Sequence, residues 1–446
     1  MRPWQWHCTI FKNKTAIRKK METETGSFLN SSKPTTFQSL HRPWLIRFLN
    51  QLGRTIERCG VPPVSLSEKP LLAAACRRTG LSDWGNESFR TPMRILLESF
   101  EEGMKCNPLG RLLIRGLAIN ILARRLRIQD ELKRHPEILR EQIRRPLFIT
   151  GLPRTGTTLL QNLLSQDPSS RALLTWEAIS PIPPPESQTR ENDPRISRTE
   201  WIFRMASFIA PGFLALHPSN ARAPGECTLL LRNTFFVRGA FELASPPKQY
   251  AEWFEQQDMV PPYRYYRQLL QLLQWRCPGD HWVLKSPVHL PALDALLTVF
   301  PDACVVQTHR DLIKVVPSCC SLFSSIMGIF QDQVDLGLIG QKCTNQLARM
   351  LERGAQMRDS SDPTHFYDVY YRDLLQDPIG TVRQIYTHFG YNLDVRMEEG
   401  MRRWLSENPQ NKHGVHRYSL EQFFLDPETL KSKFANYYKR FNIPIE

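Results

Sequence analysis

Residues 146–168, PLFITGLPRTGTTLLQNLLSQDP, constrain the fold of this chain more than any other stretch. A short apolar run ends in Gly151, and Thr157 and Thr158 open an apolar pattern of helical period. A strand turning sharply into a helix presents backbone N–H groups, and the positive end of the helix dipole, to an anion. Gly151 and Gly156 permit that turn, since glycine takes positive φ at little cost. The stretch therefore predicts a phosphate-binding loop. A nucleoside-triphosphate loop of the form GxxxxGK[ST] needs lysine after its second glycine to reach the outer phosphates. Here Thr157 stands in that place, and the loop carries Arg154 instead.

Three further units repeat the strand-then-helix pattern: HWVLKSP before ALDALLTVF, ACVVQTHRD before IKVVPSCCSLFSSI, and HFYDVYYRDLLQDP running into IGTVRQIYTHFG. Strands alternating with helices predict an α/β fold, a P-loop-like central parallel sheet flanked by helices, over residues 145–446. Upstream, over residues 41–144, apolar residues recur at helical spacing with breaks at CGVPP and CNPLG, which predicts a helical N-terminal layer. Between the first and second units lies a long insertion, about residues 178–280, proline-rich at SPIPPPES and then rich in aromatic residues. Ligands of open parallel sheets bind at the carboxyl ends of the strands, so this long helical insertion reads as an acceptor pocket and lid.

Composition narrows the classes. A hydrophobic fraction of 41% and a charged fraction of 23% are those of a globular protein, not of a disordered chain or a membrane bundle. The run RLLIRGLAINILARRLRI is interrupted by Arg115, Arg124 and Arg125, so it reads as an amphipathic helix and not as a transmembrane segment. The net charge of +14 suits anionic ligands, acidic substrates or peripheral contact with a membrane surface. Nucleic acid is not expected, because no zinc-finger spacing, RNP-like stretch or long Lys/Arg run occurs in the body of the chain. The ten cysteines are scattered without a CxxC pair, as in a reduced, cytoplasmic compartment, and suggest no structural metal. The first 21 residues hold six Lys or Arg and no acid, which is compatible with a mitochondrial presequence, but no cleavage pattern follows. Residues 1–40 are read as a disordered basic extension.

The loop GLPRTGTT resembles the 5′-phosphosulfate loop of the PAPS-dependent sulfotransferase superfamily, in which it holds 3′-phosphoadenosine 5′-phosphosulfate (PAPS). VVQTHRDLIKVVPS is similar to the 3′-phosphate element of the same superfamily, with Arg310 and Ser318 at its eight-residue spacing. The lead-in from about residue 100 resembles a bacterial-type branch. VYYRDLLQDPIGTVRQIYTHFG and HGVHRYSLEQFFLD resemble later elements of the family and make Tyr371 and Arg417 candidate nucleotide contacts, with a core tyrosine and a surface arginine as the other readings. The resemblance thus implies a PAPS site, which yields the product PAP, built from Gly151, Arg154, Thr155, Gly156, Thr157, Thr158, Arg310, Ser318, Tyr371 and Arg417.

The chemistry so implied is sulfuryl transfer to a hydroxyl of a small apolar alcohol, phenol or lipid. It needs positioning and charge stabilisation in a loose, in-line transition state. Arg154 and Lys285 are the expected cations, and no metal is expected. Glu177 in TWEAISPIP, at a place similar to the glutamate base of tyrosylprotein sulfotransferases, is the preferred base. His289 in KSPVHLP competes for that role, being similar to the histidine of the KTHLP motif of cytosolic sulfotransferases but shifted by two positions. His217 and Glu226 are read as lining the pocket, with no further role. Two other functions compete with this one: a P-loop small-molecule kinase, and a catalytically silent nucleotide-binding scaffold.

Overall fold

The structure is a computed structural model that describes residues 37–38, 42–61, 63–102, 106–209, 220–236, 248–409 and 418–445. Most of the expected extension, residues 1–36, therefore lies outside the described residues. Within its expected span, Phe37–Gln38 pairs antiparallel with Val334–Asp335.

Four helices form the N-terminal layer: α1 (Trp44–Arg58), α2 (Glu68–Thr79), α3 (Arg90–Glu102) and α4 (Pro108–Arg134). The breaks between them have local causes. Helix α2 stops at Gly80, which takes a left-handed φ of 72°. Helix α4 starts with Pro108 in its first turn, and the side chain of Asn107 accepts from the N–H of Gly110 at 2.7 Å, as an N-cap does. Leu71, Met93, Phe100 and Leu122 of this layer share a core with Phe235, Tyr250 and Phe254 of the insertion.

Beyond it, five strands form one parallel sheet: β1 (Leu147–Gly151), β2 (Ser170–Ala172), β3 (His281–Lys285), β4 (Cys304–His309) and β5 (Phe366–Tyr370), in the order β2-β3-β1-β4-β5. Strand β2 is absent from the sequence reading, because three residues are too few to show a period. Side chains alternate between faces as the strand repeat requires. Leu147, Ile149, Val283 and Val306 pack with α5 (Thr157–Leu164) and with the later helical residues Val382, Ile385 and Met401. Phe148, Trp282, Leu284 and Val305 pack into the opposite core.

The insertion folds as helices, α6 (Thr175–Ile179), α7 (Pro194–Ile209), α8 (Thr228–Leu231), α9 (Lys248–Glu255) and α10 (Val260–Gln274). The chain then continues through α11 (Leu293–Val299), α12 (Leu312–Phe330) and α13 (Leu336–Asp359) on the face of Phe148. Among the described residues, α12 is the one helix long and apolar enough to cross a bilayer, yet 72% of its apolar stretch is buried in the body, so it is a core helix.

The strand order fixes where a ligand can sit. From β1 the chain departs toward β2 along one face, and from β4 it departs toward β5 along the other. Between β1 and β4 the two connections diverge and leave a crevice at the carboxyl ends. Gly151 ends β1 there, in register with Thr308 of β4.

Candidate active site

The loop after β1 is held open for an anion by its own backbone. Gly151 has φ 134°, Arg154 φ 71° and Gly156 φ 90°, three left-handed residues in six. A Cβ on Gly151 would lie 2.5 Å from Thr308 Oγ1, and one on Gly156 would lie 2.9 Å from the Tyr371 ring, so both glycines are required by space as well as by φ. Thr155 Oγ1 donates to the carbonyl of Leu152 at 2.6 Å and meets Thr308 Oγ1 at 2.6 Å, which ties the loop to β4. Among the described residues, the amide N–H groups of Thr155, Gly156, Thr157 and Thr158 donate to no protein acceptor. Four converging N–H groups at the start of an eight-residue helix form a positive cradle.

The second phosphate element converges on the same loop. Arg310, just past β4, donates from Nη1 to the carbonyl of Arg154 at 3.1 Å, and its guanidinium lies 4.0 Å from the centre of the Tyr371 ring. Ser318, buried one and a half turns into α12, accepts from Arg154 Nε at 3.1 Å. The fold thus brings Arg154, Arg310, Ser318 and Tyr371 together from segments more than 200 residues apart in sequence. Arg417 and His217 lie outside the described residues.

Lys285 ends β3, in register with Ile149 of β1, so its side chain enters the same end of the sheet. It is 3% exposed, and its Nζ donates to Glu226 Oε1 at 2.5 Å. The carboxylate is placed by a chain of local contacts. Gly225 N–H donates to Leu173 O at 2.7 Å, Gln161 of α5 donates to Gly225 O at 3.0 Å, and Cys227 N–H donates to Lys285 O at 2.9 Å. Thr228 and Ser286 hydroxyls meet at 2.5 Å beside the pair. Glu226 remains partly exposed, and a carboxylate of that kind, hydrogen-bonded to the cation at the end of a central strand, can accept a proton from a bound hydroxyl.

Glu177 is not placed to do so, which corrects the expectation for that residue. Its carboxylate has no solvent exposure and accepts from Arg171 Nη2 at 2.7 Å, Arg171 Nη1 at 3.0 Å, Arg190 Nε at 3.0 Å and the Leu174 N–H at 3.0 Å. Burial disfavours its charge, but the Arg171 and Arg190 guanidiniums outweigh that and hold the carboxyl below the usual carboxylate range. A group so saturated braces β2 and α6. His289 is likewise enclosed: it is fully buried, edge-on to Phe148 at 5.1 Å, with Nδ1 2.7 Å from Tyr263 Oη. Burial pushes its pKa down to about 3, so it is a neutral core imidazole with little basicity.

A cavity of about 370 Å³ opens just past β3, lined on its apolar side by Leu231, Phe254, Met259, Tyr263, Val288 and Pro291. Glu255 of α9 and Arg349, Glu352, Arg353 and Gln356 of α13 also line it. Tyr263 separates this cavity from His289, and Leu231 ends the short helix that begins beside Glu226. Among the described residues, no group of three or more His, Cys, Asp or Glu side chains is arranged to hold a metal ion.

A phosphate loop without the triphosphate lysine, set at the crevice of a parallel sheet with a buried lysine and a carboxylate beside it, defines a group-transfer enzyme. The residues fit an anionic donor, since Arg154, Arg310 and Ser318 converge on the N–H cradle. Residues 146–395 match the Sulfotransferase family, and the chain belongs to that family. The kinase and silent-scaffold readings fall with that assignment.

The chain is 28% identical over 298 residues to omega-hydroxy-beta-dihydromenaquinone-9 sulfotransferase Stf3 of Mycobacterium tuberculosis and of Mycobacterium bovis, covering 62% of this chain and 71% of the relative. Among solved structures it is similar to sulfotransferase STF1 from Mycobacterium tuberculosis H37Rv, with TM-score 0.74, 34% identity and coverage of 83% of this chain and 98% of that one. It is also similar to sulfotransferase STF9 from Mycobacterium avium, with TM-score 0.78, 31% identity and coverage of 86% and 98%.

Proposed function

We propose that this sulfotransferase takes its sulfuryl group from PAPS and delivers it to a hydroxyl on a predominantly apolar molecule, with a lipid alcohol as the favoured class. The observation that carries the reading is the Lys285–Glu226 pair, 2.5 Å apart at the end of β3, beside a loop whose amide donors are unspent. Bound PAPS would supply the sulfuryl group, with PAP, which keeps the 5′-phosphate, as the leaving group. The cradle from Thr155 to Thr158 and Arg154 hold the 5′ end, while Arg310 and Ser318 answer the 3′-phosphate. Lys285 would answer the negative charge that grows on the leaving oxygen, and a preorganised cation stabilises that charge more than it stabilises the ground state. Glu226 receives the acceptor proton. The cavity past β3 accommodates the apolar remainder of the acceptor, and a lipid is favoured because the curated relative is named for a hydroxylated menaquinone.

Labelled-sulfate transfer from PAPS to a panel of long-chain alcohols and phenols tests this directly. Glu226→Gln is expected to lower turnover by about 10²–10⁴-fold, the usual value of general-base assistance, with PAP affinity retained. More acidic phenols should partly restore it. Lys285→Ala should lower turnover comparably, again without loss of PAP binding. Retained activity in Glu226→Gln would remove Glu226 from the chemistry, and absence of PAP binding by the wild-type chain would remove the donor.

A further inference from the structure

Helix α1 packs on the body through Ile46 and a set of polar contacts, and it turns most of its apolar residues outward. Asn50, 1% exposed, accepts from the Leu109 N–H at 3.0 Å, and Arg54 Nη1 meets Asp332 Oδ2 at 2.5 Å. Just before the helix, Arg42 pairs with the same Asp332 and donates to the carbonyls of Gly328 and Gln331. Gly53 sits so close to the start of α4 that a Cβ there would lie 2.6 Å from Pro108 Cβ. On the other side, Trp44 is 71% exposed and Phe48 56%, and Leu49, Leu52 and Ile56 are exposed beside them. These five fall in a stripe about 140° wide at the helical repeat. Val61 and Val64 continue the exposed apolar surface past the end of the helix.

A helix anchored through polar contacts keeps that stripe in water unless something outside the fold takes it up, and the surrounding charge says what. Arg47 and Arg58 are exposed on the flank of the stripe, and Arg115 of α4 reaches the carbonyl of Ser65 nearby, while Arg111 is spent on an ion pair with Glu101 at 2.7 Å. The chain also carries a net charge of +14. An apolar stripe with an aromatic residue at one end and guanidiniums along its edge has the chemistry of a helix lying in a membrane interface. A two-fold pairing of this face with a second copy would set Arg47 toward Arg58, two cations, which opposes that alternative.

We infer that α1 is a membrane-docking helix, which inserts Trp44, Phe48 and Leu52 into a bilayer surface bearing anionic phospholipid, with Arg47 and Arg58 against the head groups. The inference does not rest on the donor or the acceptor, because docking needs neither.

The test is co-sedimentation of the full chain with vesicles of phosphatidylcholine alone and of phosphatidylcholine containing phosphatidylserine. Binding is expected to be strong only with phosphatidylserine and to weaken as salt is raised. Phe48→Ser with Leu52→Ser is expected to reduce it on the order of 100-fold, from the lost apolar burial. Arg47→Glu with Arg58→Glu should reduce it at least about 10-fold. Both double variants change exposed positions, so unfolding temperature and PAP affinity should be those of wild type. Wild-type binding by either variant, or equal binding to both vesicle types, overturns the inference. So does a concentration-dependent dimer that the Phe48 and Leu52 variant splits, which would give the face to a second copy.

Discussion

Glu177→Gln separates a structural carboxylate from a catalytic one. In the native fold two carboxylate oxygens serve four N–H donors from Arg171, Arg190 and Leu174, all within 3.0 Å. A glutamine keeps one acceptor oxygen and turns an NH₂ toward donors, leaving a buried guanidinium without its counter-charge. Removing one partner of a buried ion pair costs about 3–5 kcal/mol, a shift of roughly 10²–10⁴-fold in the folding equilibrium. The assay is urea unfolding of the full chain: the midpoint should fall with the slope unchanged. Turnover per folded molecule should stay within a few-fold of wild type. The pH dependence has a definite sign, because the folded carboxyl lies below its unfolded value. Its contribution is full above the unfolded pKa of about 4.3 and is lost as pH falls through the lower folded value. The stability gap between wild type and variant should therefore be flat near neutrality and close in acid. An unchanged urea midpoint together with abolished turnover would refute the structural role and return Glu177 to the chemistry.

Arg310→Ala is expected to weaken PAP binding by about 2 kcal/mol, the value of a charge-assisted phosphate contact, and to change adenosine 5′-phosphosulfate binding little. Calorimetry with the two ligands reads this, and equal losses would detach Arg310 from the 3′-phosphate. Gly156→Ala places a Cβ 2.9 Å from the Tyr371 ring at φ 90°, so the loop must shift; PAP affinity should fall at least about 10-fold, with about 1–3 kcal/mol of stability lost to strain. Wild-type PAP binding by that variant would show that the loop does not need its left-handed turn.

Much of the site is local and for that reason readable. The turn from β1 into α5 is written within six residues, since Gly151 and Gly156 specify φ by themselves and the missing lysine is visible at Thr157. The spacing of Arg310 and Ser318 is readable because both follow one strand, and the structure places Arg154 against each of them. The parallel sheet was legible from four apolar runs, and β2 was not, because three residues at a sheet edge leave no pattern. The N-terminal layer was legible as helical from its spacing and breaks.

What a charged or apolar side chain does was decided elsewhere in the chain. Glu177 and Glu226 look alike in sequence, each a lone acid with proline nearby. Their difference comes from Arg171 and Arg190, which close around the first, and from Lys285, 59 residues from the second, which meets it at the end of β3. Nothing near Glu226 in sequence signals that pairing beyond the need of a buried lysine for a counter-charge. Likewise the period of α1 specifies a helix with an apolar stripe, but Asp332 and Leu109 turned that stripe outward. Backbone conformation is set by neighbours along the chain, and so motif and period were enough for it. The energy of a charge or an apolar face is set by whatever surrounds it in space, which in this protein is supplied by partners from 6 to nearly 300 residues away.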